Sequence, residues 1–174
     1  MEQSIASLSP EQAQHALMIF YDLLPDEFWE GGKKPSAAKI KYTAEQLQED
    51  APEDLQPVVN ALLAEGGEEG KGEAARTVLE MFYEQESLRG FVEQAAEQSR
   101  QPHLAPIPLI IGAVIVILAV VPKEIKWKGG HIKGHDPARL VEGLAKFVGK
   151  LPKEAWNALM PGTPVKPGTN LNGA

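Results

Sequence analysis

From residue 101 to residue 122 the chain carries no Asp, Glu, Lys or Arg, and 11 of the 15 residues from 107 to 121 are Ile, Leu or Val. Such a stretch has to leave water, either for a lipid bilayer or for the interior of a fold. As a helix, residues 104–121 extend about 27 Å at roughly 1.5 Å per residue, just under the roughly 30 Å hydrocarbon thickness of a bilayer. Ile107, Leu109, Ile110, Ile111, Val114, Ile115, Val116, Ile117, Leu118, Val120 and Val121 together favour insertion by about 3–7 kcal/mol, from which Pro108 and Gly112 subtract.

The flanks of this run differ in charge. Residues 1–103 hold 20 acids and 8 bases, whereas residues 104–174 hold 4 acids and 9 bases. Lys123, Lys126, Lys128 and Lys133 follow the run directly, and beside an anionic leaflet each adds on the order of 1 kcal/mol. Trp127 stands where an interfacial aromatic would stand. Two observations favour the interior instead. Positive-inside topology would send the acidic N-terminal region across the membrane, yet residues 1–7 show neither the basic nor the apolar region of a cleaved signal peptide. In addition, 9 of the 15 residues from 107 to 121 are β-branched, which suits a strand buried on both faces, with Gly112 and Ala113 marking a bend.

Helical signals fill the first hundred residues. Ser9, Pro10 and Gln12 supply an N-cap, an N1 proline and a capping-box partner, and Ala13, Ala16, Leu17, Phe20 and Leu24 follow at helical spacing up to Pro25. Ser36 caps a second segment bearing Ile40, Ala44 and Leu47, and Leu55, Val58, Val59, Leu62 and Leu63 form a clean helical stripe. Residues 65–73 hold four glycines and four glutamates, the composition of a flexible linker. From about residue 74 to 98 a further stripe falls out of phase around Gly90, which predicts a kink or two helices.

Beyond the apolar run the period changes. Residues 124–128 alternate, Gly129 and Gly130 supply a turn, and residues 131–133 resume, predicting a β-hairpin that pairs Trp127 with Ile132. Asp136 and Pro137 then open a helix with Leu140, Val141, Leu144, Phe147, Val148 and Leu151 on one face and Arg139, Lys146 and Lys150 elsewhere. That pattern resembles a cationic interfacial helix, or a surface helix covering a sheet. Trp156, Leu159 and Met160 add a last turn, and residues 161–174 read as a flexible tail.

Local motifs for chemistry are weak. With no cysteine, disulfides, thiolate metal sites and thiol nucleophiles are excluded. His131 and His135 lie four apart among glycines without a third ligand, so no metal site is assigned. Gly66, Gly70, Lys71 and Gly72 do not match a phosphate loop, because Glu65 and Gly72 occupy positions that need Gly and Ser or Thr. His15 and His103 read as surface or boundary residues, and the many glutamates as solvated faces. No hydrolase arrangement can be assembled, so no catalytic residue, cofactor or metal is expected. A pI near 5.2 argues against nucleic acid as the main partner.

The expected architecture is mainly α: an acidic N-terminal bundle of roughly four or five helices over residues 1–100, the apolar segment 104–122, a basic module of β-hairpin and amphipathic helix over 123–160, and a tail over 161–174. The expected function is that of a non-enzymatic, membrane-anchored or membrane-active effector, with residues 1–100 serving protein contacts. It would be made in the cytoplasm without a cleaved signal peptide and associate with anionic lipid. A pore-forming mode, in which the segment is sequestered and then released by a trigger, reconciles the run with the absent leader. The membrane-contacting set is Ile107, Leu109, Ile110, Ile111, Val114, Ile115, Val116, Ile117, Leu118, Val120, Val121, Trp127, Leu140, Leu144, Phe147 and Leu151. The basic flank is Lys123, Lys126, Lys128, Lys133, Arg139, Lys146 and Lys150. Self-assembly through the Ile- and Val-rich run is a further expectation. The alternative is a soluble adaptor or interaction module whose apolar segment is the buried core of a small α/β unit.

Overall fold

Where Ser9 meets Pro10 the backbone turns helical for a local reason. The Ser9 hydroxyl accepts from the Gln12 amide at 3.1 Å while Gln12 Oε1 accepts from the Ser9 amide at 2.9 Å, closing the expected capping box. The helix so started is α2 (Pro10–Leu23), preceded by a short α1 (Glu2–Ala6) and followed by a 3-10 turn, Asp26–Phe28. The computed structural model describes residues 2–29, 32–102, 105–120 and 137–162, and among these the side chains of all but 2, 3, 120 and 137–140.

The next helices are α3 (Ala37–Asp50), capped by Ser36, α4 (Gln56–Leu63), with Pro57 in its first turn, and α5 (Glu68–Tyr83). They are followed by α6 (Glu86–Ser99), α7 (Ile111–Val120), α8 (Pro137–Lys150) and α9 (Lys153–Leu159). Helices α2, α5 and α6 pack on one another, and the stacked rings of Phe20 and Phe82, 4.9 Å apart, join the first two. Helix α7 lies against α2, α3, α4, α5 and α8, while α9 closes over α5 and α4.

Two expectations are corrected, and a third falls outside the described residues. The first is the membrane span. Among the described residues no helix is long and apolar enough to cross a membrane. Helix α7 has 10 residues, about 15 Å and half a bilayer's hydrocarbon. The cause is local: Pro106 and Pro108 withhold amides and disfavour helical geometry in the residues before them, so residues 105–110 remain irregular and the helix begins only at Ile111. Ile111 and the residues 113–119 are all at most 3% exposed, within one apolar cluster that also holds Phe20, Leu47, Leu62, Val78 and Phe147. A helix apolar all round belongs in such a centre.

The second correction concerns residues 65–73. Helix α4 ends at Leu63 with Ala64 as its extended C-cap, and Gly66 and Gly67 follow in the left-handed region, with φ of 80° and 66°, Gly67 as the N-cap of α5; α5 starts at Glu68 and its Gly70, Lys71 and Gly72 are buried. A Cβ on Gly70 would lie 2.6 Å from the Leu159 Cα, and one on Gly72 would lie 2.7 Å from the Pro10 carbonyl oxygen. These glycines let α5 abut α9 and α2; they do not loosen the chain.

The third is the β element. No strand occurs among the described residues, and the hairpin expected over 124–133 lies outside them. Two helices do replace one over 74–98, but the break falls at Glu84 and Gln85, while Gly90 sits within α6.

Candidate functional site

The residues assigned to membrane contact divide into groups. Ile111, Val114, Ile115, Val116, Ile117 and Leu118 are enclosed in α7, and Leu144, Phe147 and Leu151 are enclosed beneath α8. The apolar face of α8 is thus the one the sequence marked, but it is turned onto α7 and α3. Lys146 and Lys150 are exposed, and Lys146 reaches Glu142 at 3.2 Å on the same helix. Val121, Lys123, Lys126, Trp127, Lys128 and Lys133 lie outside the described residues, as do the side chains of Val120, Arg139 and Leu140. Ile107 and Ile110 are half-buried, whereas Leu109 is 91% exposed.

Leu109 marks an open groove of about 410 Å³. Its first wall is α3, where Lys41, Glu45 and Gln48 recur at i, i+4 and i+7 and so share one face. Asn60, Leu63 and Ala64 at the end of α4 form the second wall, and Leu109, Ile110 and Ala113 at the start of α7 form the lip and floor. Gln48 Nε2 donates to Asn60 Oδ1, tying the two walls together. Gly112 holds the floor in place: a Cβ there would overlap the Leu62 carbonyl oxygen and lie 2.8 Å from the Leu62 carbonyl carbon. Beneath the α4 wall the buried Lys71 ammonium donates to the Ala64 carbonyl, satisfying an orphan acceptor at that helix terminus.

The strand of chain leading to the groove is also held. His15, buried on α2, sets Nδ1 3.1 Å from the Glu11 carbonyl oxygen and Nε2 against the carbonyl of Ala105. It is therefore an interior residue that ties α2 to the residues before α7, contrary to its reading as a surface or boundary position. Other buried polar groups serve the helices themselves: Thr43 donates to the Lys39 carbonyl at 2.8 Å, Thr77 to Glu73 at 3.0 Å and Ser99 to Ala96 at 2.7 Å. The Tyr21 hydroxyl donates to the Pro35 carbonyl, and burial, then the neighbouring Asp22 charge, pushes its pKa above the ordinary tyrosine value. Among the described residues no group of three His, Asp or Glu side chains is placed to hold a metal ion.

None of the groove's polar residues stood out in the sequence. The α3 stripe is thin, so Lys41, Glu45 and Gln48 read as an ordinary solvated face. The cue available was the pair of prolines before Ile111, which forces an apolar residue such as Leu109 outside the helix. Protein-family models, curated proteins and solved structures yield no match to the chain.

Proposed function

We propose that this chain is a non-enzymatic interaction module, a helical domain that binds a partner through the groove between α3, α4 and the start of α7, with the apolar run as the centre of the fold. The enclosure of α7 carries this reading. Exposing Ile111, Val114, Ile115, Val116, Ile117 and Leu118 would cost about 9–18 kcal/mol at roughly 1.5–3 kcal/mol per side chain, as much as a whole domain's stability of about 5–15 kcal/mol. A non-catalytic role is supported by how the polar groups are used: the buried hydroxyls of Thr43, Thr77 and Ser99 are engaged with helix carbonyls, and the groove offers a bridged amide pair with one lysine and one glutamate.

The test is fractionation combined with melting. The full chain expressed alone is expected to stay in the supernatant after membranes are sedimented and to melt cooperatively. Val116→Asp, which puts a carboxylate among apolar neighbours, is expected to abolish that melt, a loss of about 5 kcal/mol or more. A wild-type chain that sediments with membranes, resists carbonate and is solubilised by Val116→Asp overturns the reading.

A second reading, the membrane-active effector, is favoured by one observation: α7 has no polar face and the cationic α8 lies directly on it. Because release into water costs what unfolding costs, transfer of α7 would have to be coupled to lipid. Leakage of a dye from phosphatidylglycerol vesicles is its expected signature, and intact vesicles at excess protein refute it.

A further inference from the structure

We infer that the groove lipped by Leu109 receives a basic amphipathic helix from a partner protein, an inference that rests on the interaction-module reading and gives its partner a chemistry. The argument starts from charge. Between residues 42 and 70 the chain has eight acids and no Lys, Arg or His, and all eight are exposed: Glu45, Glu49, Asp50, Glu53, Asp54, Glu65, Glu68 and Glu69. Of these, Glu45 lines the groove; Glu49 and Asp50 follow it on α3, Glu53, Asp54 and Glu65 lie in the turns after α3 and α4, and Glu68 and Glu69 open α5, where the Glu68 carboxylate accepts from Gln14. Lys41 is the one base on the lining, and the ammonium of Lys71 is withdrawn beneath Ala64.

The apolar part of the groove is aliphatic. Leu63 lies on the α4 wall, Ile110 and Ala113 make the floor, and Leu109 stands out to solvent at 91% exposure. Leu109 and Tyr42 are the exposed large apolar residues among those described, so this lip is not one patch among many. A row of aliphatic side chains at i, i+3, i+4 and i+7 fits such a floor, and lysines or arginines on the flanks of the same helix complement Glu45 and the acids of the neighbouring turns. An acidic partner would meet the net negative charge of α3, α4 and their following turns, so charge both selects the partner and speeds its encounter.

The probe is a 14-residue helical peptide of leucine and lysine, with leucines at that spacing, compared with the same peptide in which every lysine is glutamate. The full chain is expected to bind the lysine peptide, more weakly as salt rises, and not the glutamate peptide. Leu109→Asp, which leaves the fold intact because the side chain is exposed, and Glu45→Lys are each expected to weaken binding about tenfold. Glu97→Lys, on α6 and away from the groove, is expected to change it less than twofold. Equal binding of both peptides, or equal loss in all three variants, shows unspecific attraction and overturns the inference. Peptide binding that ignores Leu109→Asp and Glu45→Lys also overturns it, yet leaves an interaction module standing. Self-association abolished by Leu109→Asp, with no peptide binding, assigns the groove to a second copy of the chain instead.

Discussion

Replacing Gly112 with alanine sets two effects of known sign against each other. Helix propensity favours the change by about 1 kcal/mol at most, since alanine loses less backbone freedom than glycine. Sterics oppose it. The new methyl would overlap the Leu62 carbonyl oxygen, with the Leu62 carbonyl carbon only 2.8 Å away. Both atoms are backbone, in the last turn of α4, so no side chain can swing aside. Relief requires α7 and α4 to separate, and forced separation of packed elements costs about 1–3 kcal/mol, with a backbone clash at the upper end. The net expectation is a destabilisation of about 2 kcal/mol. In urea, at an m-value of about 2 kcal/mol/M, the midpoint should fall by about 1 M with unchanged slope. Gly90 is the internal control, because it lies exposed in α6 and a Cβ there meets nothing within 4 Å. Gly90→Ala should raise the midpoint by a few tenths of a molar unit, about 0.5–1 kcal/mol. If Gly112→Ala moves the midpoint upward alongside Gly90→Ala, α7 does not abut α4 and the account of the groove floor fails with it.

Two further outcomes follow from local geometry. Ser9→Ala removes the acceptor for the Gln12 amide and half of the capping box, so equilibrium unfolding should show a loss of about 1 kcal/mol; a change under 0.3 kcal/mol would deny the cap its role. Tyr21 has a pKa raised in the folded state by burial first and by Asp22 second, so folding favours its protonated form. The stability this contributes is complete below the ordinary value of 10.0 and is lost as pH rises through the folded value. Tyr21→Phe should cost about 0.5–1.5 kcal/mol at neutral pH by unpairing the Pro35 carbonyl, and should flatten the fall in melting temperature above pH 10. A variant that keeps the wild-type slope there refutes the assignment.

Elements governed by local rules were legible in the sequence. The α2 start at Ser9 and Pro10, the α4 stripe from Leu55 to Leu63 and the inward face of α8 all follow from capping chemistry or a 3.6-residue period, which a short window contains. The apolar run was not legible in the same way. Ile and Val on every side give no period, so residues 107–121 offered the same face to lipid, to a strand-rich interior and to a helical one, and only the surrounding helices decide among them. Residues 65–73 misled for a related reason: Gly70 and Gly72 look like linker glycines until Leu159 and Pro10 are seen against them. The groove needs α3, α4 and α7 at once, so Lys41, Glu45, Gln48 and Asn60 carried no signal singly.

A rod that is greasy on all sides can spin about its own axis without altering what water sees, so burial leaves its azimuth undetermined. In α7 that freedom ends at Gly112, where the backbone itself presses on α4. One missing methyl acts as a keyway. It indexes the rotation of the helix, and through it turns Ala113 toward the groove between α3 and α4.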